Sequence, residues 1–206
     1  MNPKILWNLF NRYKGDRFFD EVFDKEIYKA IWDLGRIKTV IDLGALHGEF
    51  GFYIYDHAEE IYCVEPHPEA YKQLVENCKD LPKIKTFNLV ISNTNGTKYI
   101  RGGDDGGATT QNEDGDNCYR VPCMTLATFM KENNIDEVDA LKIDIESHEP
   151  AVFGSSDFKD VANKIKLIQG EHGAGLQAVL EPLGFLWEDG FVAKRMRKAL
   201  YKPTRN

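Results

Sequence analysis

Asp42, Gly44, Gly48 and Glu65 are the residues of this 206-residue chain whose types and spacing point most directly to chemistry. Thr39-Val40-Ile41 is a β-branched run that predicts a buried strand. The turn Asp42-x-Gly44-x-x-x-Gly48 follows, then a helix from Glu49 to His57 and an apolar strand from Ile61 to Val64 that ends on Glu65. Glycines in such a turn let the backbone approach a ligand where a side chain would block it. A carboxylate at the tip of the second strand can accept hydrogen bonds from both hydroxyls of a ribose. Together these make the nucleotide-binding half of a Rossmann-like sheet.

What the turn lacks narrows the nucleotide. The dinucleotide fingerprint G-x-G-x-x-G is absent, and a carboxylate stands two residues before the first glycine. Asp42 would repel a pyrophosphate but attract the ammonium and sulfonium groups of S-adenosylmethionine (SAM). A plain strand-to-helix turn capped by Asp42 would explain the loop by itself. Glu65 at the next strand end favours the nucleotide.

A second group follows the apolar strand Ala140 to Ile145, in Asp144, Glu146, Ser147, His148 and Glu149. The next strand, Lys166 to Gln169, leads into Glu171 and His172. In an open parallel sheet, ligands bind beyond the carboxyl ends of the strands. Asp42, Glu65, Asp144, Glu146, Glu171 and His172 would therefore share one rim, a costly gathering of carboxylates without a cationic partner. Glu146 and Glu149 can also be read as helix starters that favour the helix dipole.

The elements that must position these groups alternate along the chain. A helix from Pro68 to Cys78, a strand from Lys85 to Ile91, an Asn95-Gly96 turn and a short strand from Lys98 to Ile100 are expected. Residues 102–117 hold five glycines, four aspartates and one glutamate, which predicts a polar loop of functional length. Tyr119 to Met124 returns as a strand, and Thr125 caps a helix bearing Leu126, Phe129 and Met130. After the strand Lys166–Gln169 come a helix from Ala174 to Leu183, ended by Gly184, and a terminal hairpin from Phe185 to Arg195. Ahead of the sheet, Phe23, Ile27, Ile31 and Leu34 recur at helical spacing between Asp20 and Gly35. The fold class is thus α/β, Rossmann-like: a mostly parallel sheet, helices on both faces and a C-terminal antiparallel hairpin. The expected divisions are a helical extension over 1–37, a SAM-binding domain over 38–196 and a basic tail over 197–206.

Composition sets limits. Hydrophobic content of 42% and charged content of 29% suit one globular domain. No run approaches the ~20 apolar residues of a membrane span. Met1–Phe10 has one lysine and no small-residue cleavage site, so no secretion signal is expected. Cys63, Cys78, Cys118 and Cys123 show no C-x-x-C spacing, which suits a reducing, cytoplasmic setting. A net charge of −7 argues against general nucleic-acid binding. Six basic residues and no acidic ones lie between Lys194 and Arg205, a tail read as solvated.

Four blocks resemble the FkbM-type SAM-dependent methyltransferases. They are Val40-Ile41-Asp42-Leu43-Gly44-Ala45 with Gly48 and Glu49, and Val64-Glu65-Pro66-His67-Pro68. Val121-Pro122-Cys123-Met124-Thr125-Leu126 follows, then Leu141-Lys142-Ile143-Asp144-Ile145-Glu146 with Glu149. They run in family order over roughly residues 38 to 155. The resemblance implies a class I methyltransferase fold, with a mostly parallel seven-stranded sheet, and O-methylation of a hydroxyl on a sugar or small natural-product-like acceptor. Asp42, Gly44, Ala45, Gly48, Glu65, Pro66, Ser92, Asp144 and Ile145 are then the expected cofactor-binding set. His148 and His172, followed by Glu146, are the candidate bases for the acceptor proton. Metal-assisted transfer is a less favoured alternative, with Asp144, Glu171 and His172 as ligands of a divalent ion. A SAM-binding protein without catalysis and a nicotinamide-dependent oxidoreductase are the competing functions. Three positions depart from the family: Leu46 stands for asparagine, Ser147 for glycine, and Leu126-Ala127 for Leu-Asp.

Overall fold

A computed structural model describes residues 17–23, 26–103, 107–170, 175–188 and 191–195. Two short helices, α1 (Arg17–Phe23) and α2 (Lys29–Trp32), precede β1 (Ile37–Leu43), α3 (Glu49–Ile54), β2 (Ala58–Val64), α4 (Pro68–Cys78) and β3 (Ile84–Phe87). Next come β4 (Val90–Ile91), β5 (Gly96–Arg101), β6 (Thr109–Gln111), β7 (Cys118–Met124) and α5 (Leu126–Glu132). The chain closes with β8 (Val138–Ile143), α6 (Glu149–Phe153), α7 (Phe158–Ala162), β9 (Ile165–Gly170), α8 (Gln177–Leu180), β10 (Phe185–Glu188) and β11 (Phe191–Arg195).

The main sheet has seven strands in the order β10-β11-β9-β8-β1-β2-β3. Strands β9, β8, β1, β2 and β3 run parallel, and β11 pairs antiparallel with β9 and β10. Strand order reverses between β1 and β8, which opens a crevice at their carboxyl ends. Side chains alternate along β1 and divide the core. Ile41 and Leu43 join Phe129, Val152 and Phe158 of α5, α6 and α7 on one face, while Val40 joins Phe50, Leu74 and Ile31 on the other. Among the described residues no helix is long and apolar enough to cross a membrane.

Several expected elements differ. The single helix ahead of the sheet is two helices, broken where Glu26 takes a left-handed φ of 49°, and Leu34 stays exposed. The strand expected over 85–91 divides between two sheets. Asn88 holds the switch, its Nδ2 donating to the carbonyls of Glu65 at 2.8 Å and Pro66 at 2.9 Å. Val90–Ile91 instead joins an unforeseen four-stranded sheet, β4-β7-β5-β6, whose strand β6 lies inside the loop expected over 102–117. The helix after Gly48 ends at Ile54, short of His57, and the strand before Asp144 ends at Ile143. α5 starts without the family's aspartate at 127: Thr125 Oγ1 accepts from Thr128 N and donates to Asp157 Oδ2 at 2.7 Å. Glu171, His172, residues 1–16 and the basic tail over 197–206 lie outside the described residues.

Candidate functional site

The carboxyl ends of β1, β2 and β8 open into a cleft, walled also by the N-terminal helical segment and the small sheet. Gly44, Ala45 and Leu46 line it from the β1 turn, and Glu65, Pro66 and His67 from the β2 turn. Lys142, Asp144, Ile145, Glu146 and His148 line it from β8 and its turn. Tyr28, Gly103, Ala108 and Thr110 complete the wall.

Glu65 is only 6% exposed, and both of its oxygens are engaged by backbone. Oε1 accepts from His67 N at 2.8 Å and Oε2 from Leu46 N at 2.9 Å. Burial pushes its pKa up to about 7 against those two hydrogen bonds. The carboxylate is thus fixed between the β1 and β2 turns.

Asp42, expected to face the ligand, lies behind the wall, fully buried. Lys142 Nζ sits 3.1 Å from Asp42 Oδ1, as the direct register of Asp42 with Lys142 requires. Burial raises the Asp42 pKa while Lys142 opposes the rise. Burial alone would lower the Lys142 pKa, but Asp42, Tyr28 and Asp144 outweigh it and raise it, so the ammonium stays charged. Lys142 Nζ also donates to the carbonyl of Gly44 and, at 3.4 Å, to that of Leu43. This is the cationic partner that the gathered carboxylates demanded. The row extends both ways in register. Cys63 Sγ stands 3.8 Å from Asp42 Oδ2 on β2, and Gln169 pairs with Lys142 on β9. Gln169 clamps the N-terminal segment, donating to Ile27 O at 2.7 Å and accepting from Ile31 N at 3.3 Å. That clamp seats Tyr28, whose hydroxyl donates to Asp144 Oδ2 at 3.4 Å.

The two glycines serve packing more than ligand approach. Gly44 has φ 77°, and a Cβ there would stand 1.8 Å from the carbonyl oxygen of Asp144. At Gly48, φ 106°, a Cβ would stand 2.7 Å from Phe52, and the residue is not on the wall. Glu49 and Glu149 open their helices alike, each accepting from a turn amide: His47 N at 3.2 Å and Ile145 N at 3.1 Å.

His148 lines the cleft with Nε2 2.8 Å from Ser92 Oγ. Ser92, expected beside the cofactor, is fully buried behind the wall and holds this ring instead. Because Ser92 Oγ donates to Asn93 Oδ1 at 3.3 Å, the ring proton belongs on Nε2 and Nδ1 is the basic atom. Burial, with Lys98 adding to it, pushes the His148 pKa down to about 4. Glu146 and Ser147, beside it, hold left-handed φ values of 54° and 69°. Glu171 and His172 fall outside the described residues, so the alternative ligand set with Asp144 has no described geometry. Among the described residues, no three His, Cys, Asp or Glu side chains group to hold a metal ion.

Sequence reasoning missed Lys142, Tyr28 and His67. Lys142 had a signal, a lone lysine in an apolar strand at the same offset before Asp144 as Asp42 has before Gly44. Tyr28 had none, since its segment reads as a continuous helix.

The family model described as the methyltransferase FkbM domain matches residues 42–203, well over half of the chain. No curated protein matches the sequence. A candidate tRNA methyltransferase from Streptococcus pneumoniae is similar in structure, with a TM-score of 0.50 at 12% identity over 84% of this chain and 71% of that one. The FkbM methyltransferase of Methylobacillus flagellatus aligns with a TM-score of 0.46 at 13% identity over 78% of this chain. The match spans 44% of that protein's length. TrmK of M. capricolum, solved with S-adenosyl-homocysteine (SAH), aligns with a TM-score of 0.45 at 10% identity over 80% of this chain and 63% of that one.

Proposed function

The chain belongs to the FkbM methyltransferase family, and we propose that it transfers a methyl group from SAM to a hydroxyl of a small-molecule or glycan acceptor. One observation carries the reading: Glu65, a buried carboxylate on the cleft wall, is held by two backbone amides beside the Gly44–Leu46 turn. A buried carboxylate with spare lone pairs suits a diol. Gly44, Ala45, Glu65, Pro66, Asp144 and Ile145 would hold the cofactor, with Asp42 acting through Lys142 and Gly48 and Ser92 acting from behind the wall. Bound there, SAM would supply an electrophilic methyl on a sulfonium.

The chain's own work is alignment and proton removal. Lys142 ties the β1 turn to β8, and Tyr28 restrains the Asp144 carboxylate. His148 Nδ1 would take the acceptor proton, with Ser92 holding the ring. Glu21, Glu49, Glu65, Asp144 and Glu146 line the cleft, and the charge of Lys142 is already opposed by Asp42. That balance favours an uncharged acceptor over a polyanion such as RNA.

Calorimetry tests the reading. SAM and SAH are expected to bind and NAD to give no signal. SAH affinity should rise as pH climbs through about 7, where Glu65 ionises and becomes a charged acceptor. Because this pKa is raised in the fold, the same group's contribution to ligand-free stability is lost over the same rise. Glu65→Gln should weaken binding by about 1–3 kcal/mol and flatten the pH slope. NAD binding with silence from SAM and SAH would overturn the assignment. Labelled SAM offered with sugars, phenols and small natural products then identifies the acceptor.

A further inference from the structure

His67 follows Glu65 by two residues and begins α4 as its cap, Nδ1 accepting from Ala70 N at 3.4 Å. A ring that accepts at Nδ1 carries its neutral-state proton on Nε2. The residue is 3% exposed and lines the cleft, and Nε2 has no hydrogen-bond partner among the described residues. The ring is not loose, since Tyr119 of β7 packs edge-to-face on it with centroids 4.9 Å apart. Capping does not explain a histidine here. Serine or aspartate caps more strongly and would bury no side-chain nitrogen. A buried N–H without an acceptor is destabilising unless a ligand completes it.

Its neighbours decide which ligand. His67 N donates to Glu65 Oε1, and Asn88 pins the carbonyls of Glu65 and Pro66, so the ring and carboxylate form one rigid turn. Resting on the reading of this cleft as a SAM site, we propose that His67 is a specificity residue whose Nε2–H donates to an uncharged acceptor atom of the cofactor's nucleoside. Glu65 then demands donors from that nucleoside and His67 demands a lone pair. A purine ring nitrogen and a ribose oxygen share this chemistry.

The experiment is calorimetry of the full chain with SAH, its 1-, 3- and 7-deaza analogues, and its 2′- and 3′-deoxy analogues. Against the wild-type protein, the analogue lacking the accepted atom should bind about tenfold more weakly than SAH, the worth of one neutral hydrogen bond. A deaza loss assigns the purine and a deoxy loss the ribose. His67→Ser keeps a capping oxygen but removes the donor. It should bind SAH about tenfold more weakly and no longer distinguish that one analogue, while still distinguishing analogues read by Glu65. His67→Thr, which also caps through a hydroxyl and has no side-chain nitrogen, gives the same comparison should the serine variant not fold. An unchanged analogue profile in the variants overturns the role of His67 and leaves the SAM site standing. Failure of SAH to bind the wild-type protein overturns both.

Discussion

Two turns of equal length leave neighbouring strands at the floor of the cleft, and they are built differently. One runs from Leu43 to Glu49 and the other from Ile143 to Glu149, each ending on a buried glutamate that opens a helix. The first places glycine at two of its three left-handed positions, Gly44 and Gly48, with Leu46 at φ 45° as the third. The second has no glycine and takes its left-handed φ values at Glu146 and Ser147 in succession. They also touch: the carbonyl of Asp144 occupies the space a Cβ on Gly44 would need. The glycine-bearing turn relaxes so that its partner can press against it. The other turn holds strain beside His148, where strain is commonly kept for positioning reactive groups.

Lys142 joins the two turns, so breaking it should give the largest effect. Its ammonium answers Asp42 beneath the first turn and bonds the carbonyl of Gly44 within it. Lys142→Met leaves a buried aspartate without its partner and is expected to cost about 3–5 kcal/mol in denaturant unfolding. Adding Asp42→Asn should restore most of that loss, because the uncompensated charge goes with it. If the single and double variants lose the same stability, the pair is not what couples the turns.

His148 tests the strained turn by its chemistry. His148→Ala should lower turnover ~10²-fold and leave SAH affinity nearly unchanged, because a base acts on the acceptor oxygen. Its pKa is lowered to about 4, so the neutral, accepting form persists well below the ordinary imidazole range. The acid limb of the rate should therefore fall near 4, with a flat profile from about 5 upward. By the same shift, the unfolded chain takes up protons first, so stability from this group falls as pH drops from about 6.5 towards 4. A limb near 6.5 would point instead to a base other than His148.

The two turns were unequally legible in the sequence. Glu65 and the β1–α3–β2 unit could be read because a carboxylate ending an apolar strand and glycines at a turn are local signals. A mostly parallel sheet closed by a terminal hairpin could be read from alternation in the same way. The partner of Asp42 could not be read, since its register with Lys142 spans 100 positions of chain. Tyr28 was concealed because its segment keeps helical spacing through a break that only Glu26's backbone reveals. The division of residues 85–91 between two sheets depended on the side chain of Asn88 reaching back to the β2 turn. Local pattern marked the β1 and β2 turns that line the cleft, while long-range pairing built its floor and far wall.

The smallest expected effect bears most directly on why the turns differ. The family's asparagine and glycine correspond to Leu46 and Ser147, and both positions are left-handed here. Asparagine tolerates that region and glycine enters it freely, whereas leucine and serine are strained in it by about 1–2 kcal/mol. The two departures therefore carry a backbone cost of their own in this chain, separate from any hydrogen bond to a ligand. Leu46→Asn and Ser147→Gly should each raise stability by up to ~1 kcal/mol, the glycine less because it also loosens the unfolded chain. The pair should be close to additive if each relieves only its own residue. Turnover separates relief from function. If strain beside His148 positions the base, Ser147→Gly will stabilise the fold and slow methyl transfer, whereas Leu46→Asn, on the cofactor side, will stabilise without slowing it. Stabilisation by both with turnover unchanged would show that the strain at Ser147 serves no catalytic purpose. A loss of stability in Ser147→Gly would show that the serine side chain holds the turn, and the contrast between the two turns would then rest on side-chain contacts in place of backbone strain.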